Sequence, residues 1–543
     1  MLRRKLPVRG TVYTTALALL FAAAATSLDA QGVQTFNPIS TQTISPTTII
    51  NGPSGSPPDG EGPLHFEVGD NALADLKAEA EKGTTAPLPD QVLLLPEGNE
   101  PLIGFGGLSW DHLNPPDTQV AKSASRLIQM VNSQIGLYDN AGAQLQVRSM
   151  ASFFGVPTTP APPFDPRVIH DRLGANSRYF VVASQYAPAL NGNPASSQLL
   201  LAVSRSADPT NLNASSWCHY RINTISDTVN TNPTFADYPM LGVGQDKLVI
   251  SANHHFIVGG SFTYAVVRAI NKTALANNAS SCPSALMDLY RPSSTGGNSE
   301  IHALQPAVHA TAPSSFAGTS NPVYLVSADR SASDPTYWIW RLRNAVGSGQ
   351  LQMVALNTTP YEFPPNAKQP PASTMTLETG DSRILQTSGV GDSLWISQTV
   401  ACNHGSGTNE TCLRIGRLAV GETSGQLSAS EPYQHVIGGG ENTFLYFPGV
   451  VANQDQRTAV PFLISGTSRF LSSMVTLKQF ADADYGRPQT LGAGNCGRNT
   501  VILQRTGDYV GAALDPNLTK FWVSAEYAAM LNCSWWTRIA PVD

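Results

Sequence analysis

Five aspartates of this 543-residue chain each stand at the head of a short apolar run, several beside an arginine or a tyrosine. They are Asp117 in PPDTQVA, Asp165 with Arg167 in FDPRVIH, Asp237 with Tyr238 in ADYPMLGV, Asp381 with Arg383 in TGDSRILQ, and Asp508 with Tyr509 in TGDYVGAAL. Carboxylates gathered in one place can divide labour. Neighbours raise the pKa of one, which then gives up a proton, while another acts as nucleophile or base; this is the pair that glycoside cleavage needs. Arg167, Arg383, Tyr238, Tyr509, Asp165 and Asp381 would hold a sugar or an acidic group on it. The same hard oxygens could hold Ca²⁺, either structural or neutralising a uronate in a lyase. A plainer role competes, because an aspartate at a chain corner accepts backbone N–H bonds. Five around one space favour a site, since like charges there require a counter-ion, an arginine or a shared proton.

A second polar set closes the next apolar run of each repeat: Asn132, Tyr186, His254, His255, Asp329, Arg330, Gln398 and Glu526. Asp237, Asp508 and Glu526 are the acid/base candidates. Adjacent residues of a strand point to opposite faces, so only one of His254 and His255 can enter the site. His254 is counted with the substrate-binding residues. His170 and His309 make a histidine metal site conceivable, but no H-x-H or H-E-x-x-H spacing supports one, and no metal ligands are assigned. No G-x-S-x-G elbow places a serine nucleophile. The glycine clusters at 258–261 and 438–440 read as loop tips, and N-x-[ST] matches such as Asn271-Lys-Thr matter only in a glycosylating host.

The elements that would position these residues recur along the chain. Besides the five aspartate segments, LQPAVHA (from Leu304) and YFPGVVA (from Tyr446) open in the same way. Taken at 117, 165, 237, 305, 381, 447 and 508, the openings lie 48 to 76 residues apart. A second strand follows each one: RLIQMVNS, RYFVVASQY, KLVISANHH, VYLVSADR, SLWISQTV, TAVPFLIS and KFWVSAEY. Further short strands precede the next opening. Four antiparallel strands per unit, repeated around an axis, is a β-propeller. The expected fold is therefore all-β, a propeller of seven four-stranded blades, with a β-sandwich as the alternative. The last unit has room for three strands before Asp543, and PLIGFGGLSW (101–110) is expected to supply the fourth and close the ring. First strands of a propeller line the central channel, and second strands end where first strands begin, so both polar sets converge on one mouth.

Outside the repeats, Met1-Leu-Arg-Arg-Lys and an apolar stretch followed by small residues up to Ala30 read as a signal peptide over 1–30. The apolar stretch is shorter than the ~20 residues of a membrane span. Residues 31–100 read as a low-complexity arm with one short helix, in which Asp70 caps Ala72 to Lys82 and Gly83 stops it. Residues 101–543 form the propeller. A secreted or periplasmic, monomeric protein is expected. Charged residues are only 13%, Gly (45) and Pro (40) abound, and the net charge of −6 gives no basic field for nucleic acid. Six cysteines in an exported chain favour disulfides, assigned as Cys402–Cys412, Cys496–Cys533 and Cys218–Cys282 among fifteen connectivities.

From Trp110 to Ala540 the motifs resemble secreted bacterial β-propeller proteins of the sialidase-like (BNR-repeat) superfamily. GDYVGAALDPNLTKFWVSAEYA with WWTRIA carries the resemblance most strongly, joined by PPDTQVA, FDPRVIHD, FADYPMLGV and TGDSRILQTSGVGDSLWISQT. The resemblance implies the propeller fold and leaves hydrolase, lyase and binding roles open. Ser331-Ala-Ser-Asp334-Pro-Thr-Tyr-Trp338 lacks the glycine and spacing of a sialidase Asp-box, and no three arginines match a sialidase carboxylate clamp. The expected function is a carbohydrate-active enzyme, a glycoside hydrolase or polysaccharide lyase acting on a polysaccharide at the acidic mouth. The alternative is a non-catalytic propeller that binds glycan or protein there.

Overall fold

The computed structural model describes residues 32–49, 60–61, 70–82, 86–94, 101–110, 113–159, 161–174, 176–189, 194–225, 233–292, 301–316, 320–328, 335–371, 376–405, 407–497, 505–529 and 533–543. The signal-peptide segment, Asp329, Arg330, Ser331 to Asp334 and the side chain of Asp70 lie outside them. Strands dominate, and the longest described helix is Asp70–Lys82. Among the described residues no helix is long and apolar enough to cross a membrane.

Seven four-stranded antiparallel units follow one another. The first is Gln119–Lys122, Arg126–Met130, Gln134–Asp139 and Gln144–Ser149. The second runs from Phe164–His170 to Trp217–Asn223, the third from Thr234–Val243 to Ala285–Tyr290, and the fourth from Gln305–Pro306 to Gln350–Asn357. The fifth runs from Gln386–Val390 to Gln426–Gly438 and the sixth from Thr443–Tyr446 to Gln489–Gly492. The seventh comprises Gly511–Leu514, Phe521–Ala528 and Trp535–Val542, completed by the N-terminal strand Phe105–Ser109. Trp536 pairs with Ser109, and Ile539 with Phe105.

The units stand around one axis. First strands of successive blades touch each other in order, the sixth through its inner segment Val451–Ala452, and the seventh touches the first. Each blade is thus flanked by two others, so both faces of its strands are buried. On Tyr179–Ala187, Phe180 and Val182 pack toward the third blade while Tyr179, Val181 and Ala183 pack toward the first. This is why the central strands read as nearly continuous apolar runs. Each fully buried Val, Leu or Ile side chain contributes about 1.5–3 kcal/mol.

Described stretches of the segment read from its composition as an arm are docked. Gln34–Phe36 adds an antiparallel strand to the outer edge of the fourth blade, Ser40–Ile44 to the third and Pro46–Thr47 to the second. Gln91–Val92 pairs in parallel with the edge of the fifth, and Pro101 bridges to Thr490 of the sixth. A Ser/Thr/Gln-rich chain has little apolar surface to bury, but its backbone can satisfy the exposed N–H and C=O groups of outer strands. Hydrogen bonding rather than hydrophobic patterning holds it, and composition does not register that. The three disulfides join Cys218 to Cys282, Cys402 to Cys412 and Cys496 to Cys533.

Candidate functional site at the axial mouth

Each blade has one left-handed corner residue in or beside its first strand: Asp117, Asp165, Tyr238, Ala303, Gly380, Phe447 and Gly507, all with φ between 45° and 144°. This fixes the register between repeats. Asp117 and Asp165 occupy the left-handed position itself, Asp237 precedes it, and Asp381 and Asp508 follow it. The five aspartates therefore do not superimpose. Side chains at the ends of the preceding blade's strands hold several of these corners. Asn132 Oδ1 accepts from the Asp165 N–H (2.6 Å), Asn253 Oδ1 from the Ala303 N–H (2.8 Å) and Thr399 Oγ1 from the Phe447 N–H (3.0 Å). Asp117 Oδ1 accepts from the Asp508 N–H (2.6 Å), so one of the aspartates does serve as a corner brace.

On the axis four predicted residues form a stack. The Arg167 guanidinium lies 3.3 Å from the centroid of the Tyr509 ring and 5.0 Å from that of Tyr238; Arg383 lies 4.7 Å from Tyr238 on another side. Tyr238 and Tyr509 meet edge to face at 5.9 Å. Arg167 Nε donates to the Pro239 carbonyl (3.0 Å) and the Tyr509 hydroxyl to the Pro166 carbonyl (3.0 Å), which pins the stack to the second and third blades. Burial works against the Arg167 charge, but Tyr509, Tyr238 and Asp165 outweigh it and hold this guanidinium above its ordinary pKa. Burial pushes both tyrosines upward, so their hydroxyls stay protonated.

Beside the stack, Tyr238, Gly380, Asp381, Arg383, Leu385, Phe447 and Asp508 line a narrow cavity of about 10 Å³. Asp381 is bound through both oxygens by Arg383, with Nε and Nη2 each at 2.7 Å. Asp508 is bound by Arg505 Nη2 at 2.6 Å. Burial disfavours the Arg505 charge, but Asp508, Asp117 and Glu378 around it dominate and raise its pKa. Glu378 is driven toward its protonated form, first by burial and then by Asp508, with Lys77 opposing. Lys77, from the helix Asp70–Lys82, is buried against this corner. It donates to Thr379 Oγ1 (2.9 Å), to the Pro364 carbonyl (3.0 Å) and to the Gly380 carbonyl, and burial lowers its pKa to about 8.

The remaining predicted residues lie elsewhere. Glu526 stands behind Gly507, accepting from Thr118 Oγ1 at 3.1 Å, and a side chain at Gly507 would strike its carboxylate. Asp237 faces His255, 3.7 Å from its Nε2. His254 points into the third blade, stacked on Tyr264 at 4.9 Å with Nδ1 3.0 Å from Thr234 Oγ1; burial lowers its pKa to about 3. Tyr186 stacks on Phe235 at 4.1 Å, and Gln398 donates to the Ser382 carbonyl at 2.6 Å. The structure thus gathers Arg167, Tyr238, Asp381, Arg383, Asp508 and Tyr509 and separates them from Asp237 and His254. Among the described residues, the mouth carboxylates do not point three ligand oxygens at one spot. The set that does converge, Cys402, His404 and Cys412, has both its cysteines in a disulfide.

Arg505, Glu378 and Lys77 were missed from sequence. For the first two a signal exists: each directly precedes one of the two Thr-Gly-Asp triplets, Thr379-Gly380-Asp381 and Thr506-Gly507-Asp508, and they bring opposite charges to neighbouring corners. Lys77 carries no local mark, since it reads as one of the helix's two lysines.

The sequence matches no protein-family model, and no curated protein matches it. Among solved structures the chain is similar to a Trypanosoma rangeli sialidase in complex with sialic acid, at 9% identity and a TM-score of 0.36, over 83% of this chain and 60% of that one. It is also similar to the GH93 α-L-arabinofuranosidase of Fusarium graminearum with arabinobiose, at 9% identity and a TM-score of 0.31, over 84% of this chain and 98% of that one. A PL25 ulvan lyase matches at 8% identity and a TM-score of 0.31, over 81% of this chain and 95% of that one. The chain spans about 60% of the sialidase's length. Likeness this distant bears on neither substrate nor chemistry.

Proposed function

We propose that the protein is a secreted carbohydrate-active enzyme, a glycoside hydrolase or polysaccharide lyase working at the axial mouth. The observation that supports this reading is the meeting of Asp381 and Asp508 with Arg383, Tyr238 and Phe447 around one cavity. An aromatic ring offers a face to a sugar, arginine binds a hydroxyl or a carboxylate, and two carboxylates supply the acid/base pair. Asp508, oriented by Arg505, is the base or nucleophile. Glu378, which burial favours in its protonated form, is the proton donor beside Asp508, and Glu526, behind Gly507, is kept as a second acid/base candidate. Asp237, turned toward His255, has no part in it.

The test is turnover of neutral and uronate-containing polysaccharides by the purified mature chain. New reducing ends without an unsaturated product indicate a hydrolase, and an unsaturated uronate indicates a lyase. Asp508→Asn, Asp381→Asn and Glu526→Gln should each cost at least about 10²-fold in kcat. Turnover that survives all three would sink the assignment. The burial of the mouth carboxylates, with Asp381 3% and Asp508 6% exposed, favours a second reading as a glycan-binding propeller without catalysis. Saturable glycan binding without turnover, lost in Arg383→Gln, would select it.

A further inference from the structure

Past the Arg–Tyr stack, the axial channel continues as a second cavity of about 50 Å³, lined by residues of all seven first strands or the turns just beyond them. Its polar lining differs in kind from the mouth. Arg167, His170, Arg172, Gln119, Gln305, Gln386 and Ser388 line it, and no aspartate or glutamate does among the described residues.

Arg172, just beyond the strand Phe164–His170, donates only to backbone carbonyls among the described residues. These are Asp515 O at 3.0 Å, His170 O at 3.4 Å and Lys122 O at 3.5 Å. The carboxylates nearest in charge are engaged elsewhere. Asp171 lies 2.9 Å from Lys272 Nζ, and Asp515 accepts from the Thr519 and Lys520 N–H groups at 2.9 and 3.1 Å. Burial lowers the Arg172 pKa to about 10, with the nearby Asp515 and Asp171 carboxylates opposing it only in part. Gln305 lines the same cavity; its side-chain oxygen has no hydrogen-bond partner among the described residues, and its amide nitrogen makes one long bond, 3.3 Å to the Pro306 carbonyl. A cavity with guanidinium and amide donors and no acid is complementary to negative charge.

We propose that this lower axial cavity is a binding site for an oxyanion group, a carboxylate or a phosphate, held by Arg172 with the amide of Gln305. The site adjoins the mouth, sharing Arg167 and Leu385 with it, but does not depend on what the mouth does.

Isothermal titration of the mature chain at fixed ionic strength, with acetate, inorganic phosphate and chloride as three probes, tests it. One saturable site for acetate or phosphate is expected, and the preferred probe tells carboxylate from phosphate. Arg172→Gln should weaken binding at least tenfold, with Arg172→Lys recovering part of it. Gln305→Leu should also weaken it, and it provides a check should Arg172→Gln fold poorly by circular dichroism. Asp508→Asn, at the mouth, should leave the anion affinity unchanged, so failure here and failure of the mouth reading are distinguishable. Absence of saturable binding, saturation by chloride alone, or an affinity unaffected by both Arg172→Gln and Gln305→Leu would overturn the proposal.

Discussion

Arg167 of the second blade lies over the ring of Tyr509 of the seventh, 3.3 Å from its centroid, so two blades that are not neighbours touch across the axis. A guanidinium stacked on a buried ring is worth about 2 kcal/mol when desolvated. Arg167→Met keeps the bulk and removes the charge. It should lower the unfolding free energy by about 2 kcal/mol, read from the urea midpoint at unchanged slope. An unchanged midpoint would mean that the stack fills space without holding the ring.

Ring closure rests on a tight fit at Gly107. A side chain there would lie 2.4 Å from Gln129 Oε1 and 2.5 Å from Thr537 Oγ1. Gln129 meanwhile ties the first blade to the seventh through Ser524 Oγ and Thr537 Oγ1, both at 2.8 Å. Gly107→Val should cost about 1–3 kcal/mol by overpacking, with amide exchange rising first in Phe105–Ser109 and Trp535–Val542.

Acid sensitivity should follow from the buried histidines. The His254 pKa falls from 6.5 to about 3 through burial, so the unfolded chain binds a proton that the folded one refuses. A depressed folded pKa gives stability that is fully present above 6.5 and lost as the pH falls toward 3. The slope is about 1.4 kcal/mol per pH unit in that window. Replacing His254 by Phe, which keeps a ring against Tyr264, should flatten the stability profile below pH 6.5 and leave it unaltered above. Parallel profiles for the two proteins would contradict the assignment of a neutral His254.

The docked arm should come away before the ring opens. Phe36 packs on Trp340, with ring centroids 5.9 Å apart, and anchors the outermost strand of the fourth blade. Phe36→Ala should cost about 1–2 kcal/mol locally and speed proteolytic cleavage within 32–49, with little change in the main thermal transition. Equal cleavage rates would show that the strand's backbone hydrogen bonds suffice without the ring.

The positions of Asp117, Asp165, Asp381 and Asp508 at blade corners were legible in sequence, because corner residues sit next to each strand's onset. Their register was not. Whether an aspartate takes the left-handed position, like Asp165, or follows it, like Asp508, depends on backbone angles that several residue types tolerate. That one-residue difference turns alternate side chains to opposite faces. Asp237, one residue before the corner and so two positions out of register with Asp508, meets His255 instead of joining it.

Local pattern was enough for the strands, their grouping in seven and the use of 101–110 as the closing strand, since turn residues and apolar alternation act over a few neighbours. Partnership was decided only by the tertiary structure. Asp117 and Asp508 are 391 positions apart and become hydrogen-bonded because the ring closes. Lys77 reaches the Gly380 corner because the helix Asp70–Lys82 docks beside it. Charges interact through space, and a closed ring sets distances that chain order does not contain.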